Sequence, residues 1–235
     1  MYIPELKYTF YGPIVLFSIL IGIIVACLLM HKAGVEKKNA IYTAVLTFVS
    51  IITFSFIMSF NLTKDIRKVG FVGAGGALGL IIGIIISVLI HRDHIRESIC
   101  AWIISAPLMY GLSKIACHIA GCCNGIPYSG HLAVSYGAKS GESFFPVQLA
   151  ETVCFLIVFA LGLILYFKLK DKLLTASIIL MLSALTKIGL EFLRESHIGQ
   201  TISTYQIIVF SIAAGGVMAI YFTNRITTKK GDAPV

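Results

Sequence analysis

Long apolar runs separated by short charged loops fill this chain. The runs fall near 12–30, 40–62, 70–90, 98–121, 146–167, 173–193 and 205–223. Each is close to the roughly 20 residues a helix needs to cross a hydrocarbon core. Because backbone polar groups must be satisfied within the bilayer, such runs are helical. The pattern predicts an all-α integral membrane protein, a single bundle of seven transmembrane helices. Within the third run Gly75, Gly79 and Gly83 recur every fourth residue. They lie on one helix face and suit close packing against a neighbour.

Composition agrees with this reading: 57% of residues are hydrophobic and 13% charged, with a mean hydropathy of +0.91. At 235 residues, seven spans leave little chain for an extramembrane domain, so residues 1–235 read as one membrane domain. The net charge of +8 does not point to nucleic acid, because nearly all Lys and Arg sit in short loops. Placing the N-terminus outside leaves Lys32, Lys37, Lys38, Arg92, Arg96, Lys168, Lys170, Lys172, Arg225, Lys229 and Lys230 in the cytoplasm. Lys7, Lys64, Arg67, Lys68, Lys139 and Arg194 remain outside. Eleven against six favours N-out and C-in. Residues 122–145 then form an extracytoplasmic loop, a gate over a site or a plain connector, and 224–235 form a basic cytoplasmic tail. The first eleven residues hold Glu5 and Lys7 and lack the layout of a cleavable signal, so the first span is expected to stay in the protein.

One stretch breaks the apolar rule. In KIACHIAGCCNGIP, Lys114 to Pro127, an apolar helix gains Lys114, Cys117, His118, Cys122 and Cys123 before Gly125 and Pro127 end it. Residues three and four apart share a helix face, so Lys114, His118 and Cys122 form a stripe, and ionisable groups at membrane depth mark a functional site. Span five opens with Pro146, a helix-start residue, and places Gln148 and Glu151 on one face. Span six ends with Lys187, Glu191 and Arg194 on one face. The polar stripes of spans four and six either share a cavity, or Lys187 pairs with Glu191 while Arg194 snorkels to the interface. The six cysteines lie mostly inside spans, which argues against a disulfide scaffold. Cys-x4-Cys-Cys is not a usual zinc spacing, so no metal and no cofactor are expected. The three thiols read either as nucleophiles activated by nearby cations or as small buried packing groups.

Taken together these segments resemble the bacterial prolipoprotein diacylglyceryl transferase family, nearly end to end. Phe10-Tyr11-Gly12 resembles the family's Trp-Tyr-Gly, and Gly75-Gly76 with Leu78-Gly79 resembles its His-Gly-Gly-Leu segment. Lys114 to Pro127 is similar to the signature that opens with Arg, runs through Gly-Asn-Phe-Ile-Asn-Gly-Glu and closes with Gly-Arg-Pro. Pro146, Gln148 and Glu151 match Pro-x-Gln-Leu-Tyr-Glu. Lys187, Glu191, Phe192 and Arg194 follow Arg-x-x-x-Glu-Phe-x-Arg, and Tyr205-Gln206 stands where the family has Gly-Gln. Ala74, Lys114, Cys117, Ala120, Cys122 and Lys187 depart from the family's His, Arg, Asn, Asn, Glu and Arg.

The resemblance implies a seven-span enzyme of the bacterial cytoplasmic membrane that moves diacylglycerol from phosphatidylglycerol to the lipobox cysteine of a prolipoprotein, releasing glycerol phosphate. It implies catalytic roles for Lys114, Lys187, Glu191 and Tyr11. Substrate binding falls to Gly75, Gly76, Cys117, Cys122, Gly125, Gln148, Glu151 and Arg194. His118, one turn beyond Lys114, is the candidate replacement for the missing family His, since imidazole titrates near neutrality; its other reading is a packed ring bonded to a carbonyl or to a tyrosine such as Tyr110. The implied partners are phosphatidylglycerol or another anionic phospholipid and a lipoprotein precursor. Lysine at two former arginines keeps the charge that phosphate needs but not the bidentate fork. Loss of the His leaves two alternatives open: a paralogue using another acceptor, or an inactive relative that binds lipid or precursor.

Overall fold

A computed structural model of the protein describes residues 2–3, 8–66, 70–90, 94–136 and 141–231. Lys7, Arg67, Lys68, Arg92 and Lys139, used in the charge count, lie outside them, as does the end of the tail, 232–235. The described chain is helical: α1 (Tyr11–Lys32), α2 (Lys37–Thr63), α3 (Gly73–Ile90), α4 (Ile95–Ala120), α5 (Val147–Lys168), α6 (Lys172–Glu191) and α7 (Thr204–Gly231). Six of the seven are long and apolar enough to cross a membrane, and Gly73–Leu89 is apolar but shorter. Leucines, isoleucines and phenylalanines along these helices stay exposed, Phe17, Leu28, Ile57 and Phe210 among them, as lipid-facing positions do in a multi-pass membrane protein. The helix limits agree with the apolar runs to within a few residues, except that α7 continues to Gly231.

Helix ends follow local sequence. Asp171 caps α6 by accepting from the amides of Leu173 at 2.9 Å and Leu174 at 3.1 Å. Ser203 and Gln206 form a capping box at α7: the Ser203 hydroxyl accepts from the Gln206 amide at 3.2 Å, and Gln206 Oε1 accepts from the Ser203 amide at 2.9 Å. Gln206 Nε2 also donates to the Ile188 carbonyl at 3.2 Å, tying the start of α7 to α6.

The chain divides into two compact units, residues 19–106 and residues 1–18 with 107–235. In the first, α2 and α3 pack on the glycine face. A Cβ on Gly75 would lie 2.5 Å from the Phe54 carbonyl oxygen, one on Gly79 would collide with the Ser50 carbonyl oxygen, and one on Gly83 would lie 2.7 Å from the Thr47 Cα. The every-fourth glycines therefore serve backbone-to-backbone approach. A Cβ on Gly76 would instead meet the Phe71 ring at 2.9 Å. The Ser55 hydroxyl accepts from the Val72 amide at 2.7 Å and donates to its carbonyl at 2.9 Å, which satisfies backbone groups before α3 begins.

In the second unit α5, α6 and α7 pack in sequence order, with the end of α4 against α5. Gly111 makes that last contact possible: a Cβ there would press on Phe155 Cβ and the Thr152 carbonyl oxygen, both at 3.2 Å. The Thr152 hydroxyl donates across it to the Gly111 carbonyl at 3.0 Å. Lys114 lies three residues beyond Gly111 and Glu151 one before Thr152, so this approach brings the two charges together. The described parts of the 122–145 loop are tied down rather than loose. Val134 and Phe144 exchange both backbone hydrogen bonds, at 3.0 and 2.9 Å, and Val134, Tyr136 and Phe144 bury their side chains together. A short parallel pair, β1 (Tyr2–Ile3) with β2 (Ser135–Tyr136), joins the N-terminus to this loop.

Candidate active site

Glu151 is the centre of the site. It is 0% exposed, and a lone carboxylate at that depth would cost several kcal/mol. Three cations from three directions compensate it. Lys114 Nζ of α4 lies 3.2 Å from its Oε2, and Lys187 Nζ of α6 donates to Oε1 at 2.8 Å. Arg194, three residues past α6, donates through one terminal nitrogen to both carboxylate oxygens at 2.9 Å. The Tyr110 hydroxyl adds a fourth donor at 3.1 Å, and its ring lies under Lys114 Nζ at 4.6 Å and under Lys187 Nζ at 5.9 Å. A cation over an aromatic face gains about 0.5–2 kcal/mol depending on desolvation.

Glu191 is the second carboxylate. Its Oε2 accepts from Lys187 at 2.8 Å and lies 3.4 Å from Arg194 Nε. The Lys187–Glu191 pair expected from helix spacing therefore exists, but Arg194 does not snorkel outward. Its backbone is pinned to the loop by an antiparallel bridge with Gly125, in which the Ile126 amide donates to the Leu193 carbonyl at 2.9 Å and the Glu195 amide to the Asn124 carbonyl at 3.1 Å. That pairing holds the guanidinium against Glu151. Burial works against its charge, but the Glu151 carboxylate outweighs burial and holds Arg194 above its ordinary pKa. Gly125 is required here: a Cβ would run into the Phe145 carbonyl oxygen and lie 3.1 Å from that of Leu193.

Three cations, Lys114, Lys187 and Arg194, face two carboxylates, Glu151 and Glu191. The cluster keeps one positive charge in excess. Polar atoms of the same unit also keep unused hydrogen-bonding capacity: Arg194 Nε, His118 Nε2, Gln148 Oε1 and Asn124 Oδ1 are buried without a hydrogen-bond partner. Such groups are uncommon in the absence of a functional reason. With its fixed donors and net charge, the cluster is suited to a polar, singly anionic group beside apolar helices.

His118 is turned to a different partner from its stripe-mate Lys114. Its Nδ1 lies 3.2 Å from the Tyr136 hydroxyl, so the packed-ring alternative is met by Tyr136 and not by Tyr110, which is on Glu151. Burial pushes the Tyr136 hydroxyl up to about 12, against a lowering contribution from Gln148, so Tyr136 stays protonated at neutral pH and can donate to the imidazole. Gln148 Nε2 donates to the Cys122 carbonyl at 2.8 Å. Tyr11 is the first residue of α1 and belongs to the same compact unit as Lys114 and His118.

Sequence reasoning offered Tyr110 only as a partner for His118, not for Glu151, and did not single out Tyr136. Tyr110 sits four residues before Lys114, a spacing that marks one helix face. Nothing in the sequence marks Tyr136, which reaches His118 only through the fold of the loop.

The family model for prolipoprotein diacylglyceryl transferase matches residues 1–222. The chain is also 28% identical, over 238 residues and 91% of both sequences, to phosphatidylglycerol–prolipoprotein diacylglyceryl transferase 2 of Clostridium perfringens (strain 13 / Type A).

Proposed function

Because the chain belongs to the prolipoprotein diacylglyceryl transferase family, an enzyme family, we propose that its buried cation cluster holds the phosphate of phosphatidylglycerol during transfer of diacylglycerol to a prolipoprotein cysteine. The observation that carries this is the single excess positive charge on Lys114, Lys187 and Arg194, which matches one phosphodiester anion. The reaction forms a bond between the acceptor sulfur and the glyceryl carbon and breaks that carbon's bond to a phosphate oxygen. Glycerol phosphate leaves, and the thiol proton must be removed.

Cations fixed around the phosphate stabilise the charge that develops on the leaving oxygen, and they count for more at a site shielded from water. Arg194 and Lys187 are prepositioned by Glu151 and Glu191, so little reorganisation is needed as the charge grows. Lys114, whose Nζ lies nearer the Tyr110 ring than that of Lys187, is the cation without a Glu191 contact among the described residues and the one we assign to the departing phosphate. His118 is assigned as the base that takes the thiol proton: Tyr136 occupies Nδ1, which leaves Nε2 as the accepting nitrogen. Gln148, Gly125 and Tyr11 line the same end of the unit and orient the glyceryl and head-group oxygens. Gly75 and Gly76 are assigned to packing in their own unit.

The protein then belongs in the bacterial cytoplasmic membrane, as one domain of seven spans with the N-terminus outside, residues 122–145 on the outer face and 224–235 inside. The basic loops support that orientation. The test is mass spectrometry of a lipobox peptide incubated with purified protein in phosphatidylglycerol bilayers. A diacylglyceryl adduct on the peptide thiol, abolished by Lys114→Met, is the expected result. Folded protein that binds the lipid yet gives no adduct would leave an inactive binder or a paralogue with another acceptor.

A further inference from the structure

Beside the cation cluster the fold assembles a second constellation, to which the transfer step proposed above gives no role. The Sγ atoms of Cys117, Cys122 and Cys123 all lie within 4.8 Å of one another, and all three are free thiols. Two local features bring them together. Helix α4 ends in a Schellman turn, with the Gly121 amide donating to the His118 carbonyl at 3.3 Å and the Cys122 amide to the Cys117 carbonyl at 3.1 Å. Gly121 has φ 63°, in the left-handed region. In that motif the residue two past the helix folds over the residue three before the cap, so Cys122 comes to lie on Cys117. Cys123 then takes φ 59°, a conformation a cysteine rarely adopts, and this turns its side chain back to the same point.

Packing accounts for a Cys117–Cys122 contact but not for the third thiol. Cys117 is buried and Cys122 half-buried, whereas Cys123 is exposed, so the cluster runs from the protein interior to a face that small ions can reach. Among the described residues no other group of three His, Cys, Asp or Glu side chains gathers its ligand atoms in this way. The Cys122 sulfur also makes a long hydrogen bond of 3.7 Å to the Cys117 carbonyl oxygen.

We propose that Cys117, Cys122 and Cys123 form a tri-thiolate site for a soft divalent cation, with zinc as the chemical type. Thiolates are the preferred ligands of such ions, and three protein ligands leave the fourth tetrahedral position for water. The unusual sequence spacing does not preclude it, because the Schellman turn and the left-handed Cys123 replace the loop that ordinary zinc motifs use. Binding exchanges three thiol protons, released to solvent, for one doubly charged ion, and the complex keeps a single negative charge. The ion joins the end of α4 to the strand-like segment 124–126, which is paired to residues 193–195 and so holds Arg194.

The test uses the full chain, detergent-solubilised and kept reduced, titrated with cobalt as a spectroscopic stand-in for zinc. We expect one equivalent to give a sulfur-to-cobalt charge-transfer band with the visible bands of a tetrahedral site. Cys122→Ser and Cys123→Ala each weaken binding by about tenfold or more, the scale known for perturbed metal sites, and Cys154→Ser leaves it unchanged. Because variants at buried Cys117 can misfold, a measurement on the unaltered chain accompanies them: zinc should slow alkylation of Cys117, Cys122 and Cys123, read by peptide mass spectrometry, without slowing that of Cys154. Absence of the charge-transfer band together with unprotected thiols, or a band that survives the Cys122→Ser/Cys123→Ala double variant, overturns the proposal.

Discussion

Replacing Glu151 with Gln keeps the shape at the centre of the site and removes its charge. In Glu151→Gln the excess of cations over carboxylates rises from one to two, because Glu191 alone remains against Lys114, Lys187 and Arg194. Breaking a buried ion cluster by removing one partner costs about 3–5 kcal/mol, a large share of the roughly 5–15 kcal/mol that folded domains have in reserve. Glu151 is 0% exposed, so solvent screening offers little relief. The penalty is electrostatic, and an anion that enters the cluster should offset it. Ligand saturation near a hundred times Kd stabilises by about 2.7 kcal/mol. We therefore expect thermal unfolding in neutral detergent to show Glu151→Gln strongly destabilised, with phosphatidylglycerol raising its midpoint more than it raises that of the unaltered protein. Lys187→Met added to Glu151→Gln should recover part of the loss without lipid. If Glu151→Gln unfolds within about 0.5 kcal/mol of the unaltered protein, the range of ordinary surface changes, Glu151 is not the keystone of this cluster. An equal lipid response in both proteins would refute the phosphate assignment.

The remaining expectations concern single contacts. Gly125→Ala puts a methyl into the Phe145 and Leu193 carbonyls and should cost about 1–3 kcal/mol by overpacking; it should also lower turnover by shifting Arg194, seen as a drop in adduct formed per unit of folded protein. His118→Gln should slow transfer by about a hundredfold or more, the usual scale for a lost general base, with phosphatidylglycerol binding unchanged; full turnover would remove His118 from the mechanism. Tyr136→Phe takes away the bond to His118 Nδ1, worth about 0.5–1.5 kcal/mol, and should shift the pH dependence of turnover, a shift that the control Tyr128→Phe should not produce. In the other unit, Gly79→Leu should separate α2 from α3, because even a Cβ collides with the Ser50 carbonyl, and the loss should appear as a lower unfolding midpoint.

Hydropathy alone determined the helices. A bilayer leaves the backbone no alternative to internal hydrogen bonding, so the apolar runs and the helices coincide apart from the polar end of α7, and the glycine face of α3 was readable because a four-residue spacing makes a helix face by geometry. The polar residues on α4, α5 and α6 were also legible, since an ionisable group in an apolar run stands out against its neighbours, and the motif order pointed to the family. What each charge does was not legible. Spacing within α6 pairs Lys187 with Glu191, but it cannot tell that Glu151 of α5 gathers Lys114, Lys187 and Arg194, because those contacts join residues dozens of positions apart. The direction of Arg194 follows from a bridge to Gly125, and the partner of His118 from the fold of the loop that carries Tyr136. The three thiols make the same point at short range. Their spacing argues against a shared ligand, while two left-handed residues in the backbone bring their sulfurs to one place. Periodicity fixes which face a residue occupies, and only the packing of one helix on another and the turns between them decide what that face meets.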